Sequence, residues 1–372
     1  EPDYRKTNAS ECYLGAGETE MKLKEIYNIH CIVNFATKYK FNVLLVGSAF
    51  SQSGLNLLLG GEDGIVRIYE FVQKSDFTQP KLTLETKGGP IQTLTVHDVT
   101  KFYNNDVIVG DSCGMLTVFC NRQILCRSSL SDDSINCLQI DKDDAGNSCI
   151  VTGDDSGCIS AVLPSQELWR INLNNVIMLK EPSQQVSVKC LLTVNLMDQA
   201  GQRSNYILAA DNTQHLHIIR QGLVVMTTKT PSVITAMCSG HFVDSEKISD
   251  GSTKIEGGGN SKDHTQVALG SATGAIYILH NFMVTEDEYA NAKYPIRQLA
   301  SLPVSDGPLD FLLCSGNFNS LQVYLDGKSV GQYTTPDWIN SMDTADIDND
   351  GKLEIVVSCL DNSVLALKIL DT

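Results

Sequence analysis

The sequence predicts an all-β fold, a seven-bladed β-propeller with four antiparallel strands per blade, and three observations predict it. No apolar pattern with the period of a helix runs beyond about two turns. A short unit recurs instead: a β-rich run, a small acidic turn, a glycine, and a second β-rich run. The unit occurs seven times, at intervals close to the length of one propeller blade.

The copies follow one another in order. They are "LNLLLGGEDGIVRIYEF" (55–71), "DVIVGDSCGMLTVFC" (106–120), "CIVTGDDSGCISAVL" (149–163), "YILAADNTQHLHII" (206–219), "QVALGSATGAIYIL" (266–279), "DFLLCSGNFNSLQVYL" (310–325) and "EIVVSCLDNSVLALKI" (354–369). The residue before each second run is Gly64, Gly114, Gly157, Gln214, Gly274, Asn319 or Asn362, at spacings of 50, 43, 57, 60, 45 and 43 residues. Gly and Asn suit that place because a tight hairpin turn needs positive φ. A third run follows in "KLTLET", "QILCRSSL", "QELWRINL", "GLVVMTT" and "SVGQYTT". An alternating run that would line the central channel comes next: "IQTLTVHDV", "INCLQID", "VSVKCLLTVNL", "VITAMCSG" and "INSMDTADID".

The seventh copy reaches Thr372 directly after its second run, so that blade lacks an outer strand. Extra β-like sequence, "KLKEIYNIHCIVNF" and "FNVLLVGSAF", precedes the first copy. Residues near 22–31 are expected to supply the missing strand and to interlock the two ends. The organisation expected is a tail over 1–20 and a single propeller over 21–372. Residues 244–265, polar and rich in Gly and Ser, read as a long flexible insertion in the fifth blade. Residues 284–297 read as a charged excursion before the sixth.

A net charge of −16 argues against nucleic acid and anionic membrane as partners. No run of eighteen apolar residues occurs, so no direct membrane insertion is expected, and "EPDYRKTNASECYLG" has no signal-peptide core. The twelve cysteines form no CxxC pair, and Cys137, Cys190, Cys314 and Cys359 lie in apolar runs. They read as reduced, buried thiols in a cytoplasmic, cilium- or organelle-associated protein. The sequon Asn8-Ala9-Ser10 points the other way.

"TADIDNDGKLEIVVSCLDN" (344–362) sets Asp346, Asp348 and Asp350 at alternate positions, then Gly351 and Glu354. These four carboxylates and the Lys352 carbonyl match the oxygen donors of a Ca2+ loop. Equally, the aspartates suit an Asx-type turn in which they accept backbone N–H bonds. An EF-hand is excluded, because its twelfth position falls on Val357 within a strand.

"DIDNDGKLEIVVS" resembles the FG-GAP repeat of integrin α-subunit propellers, in which the loop joins a blade's first strand to its second. It is similar too to intracellular scaffold propellers: Bardet–Biedl complex subunits, kaptin-like proteins and the FG-GAP-like subunit of a nutrient-signalling complex. "IDKDDAGNSCIVTGD" looks like a decayed copy that keeps Asp141 and Asp143, with Ala145 and Cys149 in place of the last two carboxylates. Literal Phe-Gly and Gly-Ala-Pro elements are missing, which favours the intracellular scaffolds. "GGEDGIVRIYEF" resembles a WD40 blade, with Tyr69-Glu70 for Trp-Asp.

Other chemistry is sparse. His215 and His217 alternate and read as outward polar residues. No GxSxG, GxxxxGK[ST] or HExxH occurs, and Trp169 and Trp338 do not form a quinoprotein repeat. The resemblance implies a non-enzymatic scaffold, a propeller subunit of a larger intracellular complex (trafficking, ciliary or signalling) with other protein subunits as partners. The alternatives are an extracellular calcium-binding adhesion or receptor propeller and a propeller enzyme.

Overall fold

The computed structural model describes residues 27–50, 54–71, 77, 79–143, 145–177, 185–198, 201–244, 265–304 and 307–371. The tail over 1–20 and all but the two ends of 244–265 lie outside the described residues.

Seven antiparallel sheets make up the fold. Strand β1 (Tyr27–Ala36) belongs to the last of them. Blade 1 is β2 (Phe41–Gly47), β3 (Asn56–Gly61), β4 (Ile65–Glu70) and β5 (Leu82–Glu85). Blade 2 is β6 (Ile91–His97), β7 (Asp106–Asp111), β8 (Met115–Cys120) and β9 (Gln123–Ser129). Blade 3 is β10 (Ile135–Lys142), β11 (Ser148–Asp154), β12 (Cys158–Leu163) and β13 (Gln166–Asn172). Blade 4 is β14 (Val188–Met197), β15 (Arg203–Asp211), β16 (His215–Arg220) and β17 (Leu223–Lys229). Blade 5 is β18 (Ile234–Gly240), β19 (Gln266–Ser271) and β20 (Ala275–His280), edged by β21 (Met283–Val284) and β22 (Ala290–Asn291). Blade 6 is β23 (Ile296–Pro303), β24 (Asp310–Gly316), β25 (Phe318–Leu325) and β26 (Lys328–Thr334). Blade 7 is β27 (Ile339–Ala345), β28 (Glu354–Cys359), β29 (Ser363–Asp371) and, outermost, β1. Among the described residues the only helical element is a 3-10 turn at Leu173–Asn175, and none is a helix long and apolar enough to cross a membrane.

Tyr27 pairs with Asp371 and Ala36 with Ser363, so the early strand closes the last blade as expected, a few residues later than 22–31. The innermost strand of each blade touches that of the next, and β27 touches β2. Seven apolar clusters fill the seven gaps between neighbouring blades. Second strands are therefore covered on both faces: "NLLLGG" of β3 and "DVIVGD" of β7 are buried throughout. That is why they read as continuous apolar runs and not as alternation.

Every innermost strand carries a bulge after its first residue, from Phe41/Val43 in blade 1 to Ile339/Ser341 in blade 7. A bulge adds local twist and re-aims a side chain. Here the bulged residue reaches the next blade. The side chains of Asn42, Thr235 and Asn340 donate to the carbonyls of Ile91, Ile296 and Phe41 at 3.0, 2.6 and 3.0 Å. The first innermost residue also presses on the preceding blade. A Cβ on Gly110 would lie 2.7 Å from Ile135 Cγ2, and one on Gly153 2.8 Å from Val188 Cγ1.

Two expectations need correction. Asn319 keeps its place in the register but lies within β25 and is not a positive-φ turn residue, unlike Gly64, Gly114, Gly157, Gln214, Gly274 and Asn362. In blades 2, 3 and 4 the turn is held by Asp111, Asp154 and Asp211, which end the second strand and each accept the N–H groups two and four residues on. In blades 1 and 7 Asp63 and Asp361, placed two residues later, each accept the N–H group two residues on. Blade 6 has Gly316 and Phe318 at those two places. Neither offers an acceptor, and the strand simply continues. The stretch 284–297, moreover, is not an excursion. It forms the broken outer edge of blade 5, where β21 and β22 both pair with β20, before entering β23.

Candidate functional site

The acidic stretch connects β27 to β28. Glu354 opens β28 opposite Ala345 and is wholly buried. Its Oε2 accepts the Ile347 N–H at 2.9 Å. Asp346 accepts the N–H of Asp350 at 3.1 Å and of Gly351 at 3.0 Å through its two oxygens. Asp350 Oδ1 accepts Lys352 N–H at 2.9 Å. Asn349 and Gly351 have φ of 58° and 84°, left-handed positions that Asn and Gly tolerate. The Asx-type turn is present.

The structure brings Asp346, Asp348 and Glu354 within 4.8 Å of one another through one oxygen each. Asp350 is not of that set. It joins the cluster through Lys368 of β29, whose Nζ lies 2.8 Å from Asp348 Oδ2, 2.6 Å from Asp350 Oδ2 and 2.9 Å from Glu354 Oε1. The register places it there: Ile355 lies opposite Leu367, so Glu354 stands beside Lys368. Burial works against the Lys368 charge. The hydrogen bonds to Asp348 and Asp350 and the charge of Glu354 outweigh it and hold the ammonium well above the ordinary lysine range. The same ammonium, aided by Lys352 N–H, holds Asp350 below the usual carboxylate range. Calcium takes six to eight oxygens. Asp348 and Asp350 each give an oxygen to Lys368 by hydrogen bond, and the buried Glu354 Oε1, which accepts no hydrogen bond, faces the same ammonium at 2.9 Å. The place where the carboxylates converge thus already holds a cation, and the donor set as arranged does not fit calcium.

Glu354 has counterparts that the sequence reading missed. Asn56 accepts Ala49 N–H at 3.1 Å. Asp106 accepts those of Val99 and Thr100 at 3.1 and 3.0 Å. Gln266 accepts those of Phe242 and Val243 at 2.8 and 2.9 Å. Each of the four is buried, opens its blade's second strand, and holds the N–H two residues past its cross-strand partner. The signal that could have revealed them is a lone polar residue heading an apolar run.

The supposed decayed copy folds differently. Asp141 lies within β10, paired with Cys149, and not in the loop. Asp143 alone closes the turn, its Oδ1 accepting Ala145 N–H at 2.9 Å and Asn147 N–H at 2.7 Å. Asp198 accepts Gln202 N–H at 2.9 Å at the same place in blade 4. Beside the blade 3 connector the rim opens into a recess of about 670 Å3, lined by Val99, Phe102, Leu125, Cys149, Leu163 and Leu168 among others. Phe102 is 60% exposed, Leu125 49% and Leu168 44%.

His217 is not outward-facing. It is fully buried, with Nε2 3.0 Å from Asp211 Oδ2 and Nδ1 3.0 Å from Thr227 Oγ1. Burial opposes the Asp211 charge, but bonds from His217, His215 N–H and Thr213 keep its carboxyl below the usual range. His215 is half-buried and bonds Thr213 Oγ1 at 2.9 Å. Eleven cysteines are described, and none is paired with another. Burial pushes the thiols of Cys137, Cys149 and Cys314 up to about 12.

A scan of the sequence against protein-family models gives no match, and a comparison with curated proteins gives none either. Solved structures do match. The N-terminal domain of BBS1, solved in complex with ARL6, aligns with a TM-score of 0.67 at 12% identity, over 94% of this chain and 99% of that one. The WD40 propeller of Doa1 aligns at 0.61 and 12% identity, over 92% and 97%. At such identity the likeness is one of fold, and it agrees with both resemblances drawn from the sequence.

Proposed function

We propose that the chain is a non-enzymatic protein-interaction scaffold, a propeller subunit of a larger intracellular complex. The observation that carries this reading is the solvent-open apolar recess on the rim between blades 2 and 3, with Phe102, Leu125 and Leu168 exposed around it. Exposed apolar surface of this kind marks interaction sites. Two further observations support the reading. A ring of this shape, BBS1, is known in complex with a protein. Eleven unpaired cysteines suit a reducing compartment. The role in trafficking, at the cilium or in signalling is part of the same proposal and rests on the sequence resemblance.

The test is affinity purification of the tagged chain from native extract, followed by size exclusion and mass spectrometry. The expected result is co-elution with stoichiometric protein partners and loss of at least one of them in the Leu125→Glu/Leu168→Glu variant, with its melting temperature kept. A wild-type chain that elutes alone as a monomer overturns the reading.

A further inference from the structure

We infer that Lys368 is the resident cation of the blade 7 connector, and that this connector closes without calcium. The inference is independent of the scaffold proposal. The FG-GAP resemblance implies a metal in the loop; the side chains present point elsewhere. A calcium ion would sit where Asp346, Asp348 and Glu354 converge. The Lys368 ammonium reaches that convergence from the neighbouring strand and contacts Asp348 and Glu354 within 2.9 Å, together with Asp350. The β28–β29 pairing register fixes its Cα beside Glu354. Its side chain is 14% exposed, so the amine is withdrawn from water into the cluster. The ammonium donates to Asp348 Oδ2 and Asp350 Oδ2 and stands 2.9 Å from the buried Glu354 Oε1, an oxygen that accepts no hydrogen bond.

The other blades give a second, independent line. The residue equivalent to Glu354 is Asn56 in blade 1 and Gln266 in blade 5, neutral amides whose side-chain oxygens accept the connector N–H groups. The anchoring role therefore belongs to a side-chain oxygen, and charge is not required for it. Blade 7 uses a carboxylate at this position, adds two aspartates beside it, and supplies one lysine in the adjacent strand to balance them.

Scanning fluorimetry of the purified chain tests this, first in EGTA and then with calcium at about 1 mM, the range in which weak extracellular modules fill. Terbium luminescence serves as a direct probe of occupancy. The wild type is expected to melt at the same temperature in both conditions and to show no terbium signal. Lys368→Met is expected to melt several degrees lower in EGTA. Recovery of K368M with calcium supports the inference, since the freed carboxylates then gather a metal in place of the amine. A K368M protein that is destabilised and indifferent to calcium supports it too, since the amine is then irreplaceable. Should K368M fail to fold, Lys368→Arg, which keeps the cation, is expected to fold and to ignore calcium. A wild type stabilised by calcium, or a K368M protein as stable as wild type in EGTA, overturns the inference.

Discussion

Blades 3 and 7 carry the two stretches most alike in sequence, and their first connectors are built in opposite ways. In blade 7 Glu354 opens the second strand beside Lys368, and the end of the blade is closed by charge. In blade 3 the same two places hold Cys149 and Leu163, set beside each other by the pairing of Ile150 with Val162. There the end of the blade is apolar and borders the rim recess. A carboxylate at this site must have its charge satisfied, because an unpaired buried charge costs several kcal/mol. Glu354 has Lys368 beside it, whereas Asp106 of blade 2 accepts the N–H groups of Val99 and Thr100 and the Thr100 hydroxyl. Losing the pair together leaves a surface free for contact with other molecules. The comparison teaches that in blades 3 and 7 the residue at this position and its neighbour one strand away change together, and that a carboxylate count in one strand says little without the neighbouring strand.

The largest effect follows from changing this position in blade 3. Cys149→Glu places a carboxylate where burial, and after it the charges of Asp141 and Asp143, already push the Cys149 thiol up, with Leu163 in place of a lysine. It is expected to lose about 3 kcal/mol in urea unfolding, the cost of an unpaired buried charge. Adding Leu163→Lys is expected to recover about half of that, a coupling that additive sites do not show. Equal stability of the single and double variants breaks the comparison. In blade 7, Glu354→Ala removes the acceptor of Ile347 N–H and a partner of Lys368, for an expected loss of about 2–3 kcal/mol. Glu354→Gln, which copies Gln266 of blade 5, is expected to cost about 1 kcal/mol, because the N–H keeps its acceptor. If the two cost the same, the anchor is charge and not hydrogen bonding.

Much of this ring was legible in the chain, and the reason is local. Second strands announce themselves because both their faces are buried, and their turns because Asp111, Asp154 and Asp211 bond N–H groups two and four residues away. The closing strand was legible from the shortfall at the other end. What was not legible depends on pairing between segments. Lys368 is a lone cation in an apolar run until the register sets it beside Glu354. His217 looks polar and outward until Asp211 and Thr227 enclose it. Asp141 looks like a loop ligand until β10 is seen to run on through it. The acidic connector itself was found, but its partner was one strand away.

A smaller effect sharpens the account of blade 7 through pH. Asp350 is held below its ordinary 3.8, so its contribution is present above that value and lost as pH falls through the folded one. Lys368 is held above its ordinary 10.5, so its contribution is present below that value and lost as pH rises through the folded one. The stability gap between wild type and K368M is therefore expected to be flat from about pH 5 to 9 and to shrink at both ends. A gap that opens or closes within that window, followed by urea midpoints at each pH, shows some other group to be responsible.

The smallest effect is expected where no charge is buried. Asp198 closes the blade 4 connector by accepting Gln202 N–H, while its carbonyl accepts Gly201 N–H. Gly201 takes φ of 78°, as Gly146 takes 80° in blade 3. Among the described residues this turn is closed by the Asp198 side-chain bond, by backbone bonds between Asp198 and Gln202 and from Gly201 to Asp198, and by a left-handed glycine, at the water-exposed end of the blade. Asp198→Ala removes the exposed bond to Gln202 N–H, so it is expected to cost about 0.5–1 kcal/mol. Asp198→Asn keeps the acceptor and is expected to cost less still. Blades 3 and 4 thus dispense with the anchor at the head of the second strand because a turn this tight needs none. The longer connectors of blades 1, 2, 5 and 7 reach across the blade end and must be pinned from below. A loss at Asp198 as large as that of Glu354→Ala, read from urea midpoints measured side by side, is incompatible with that division. It would mean that turn closure, and not the buried anchor, sets the stability of every blade end.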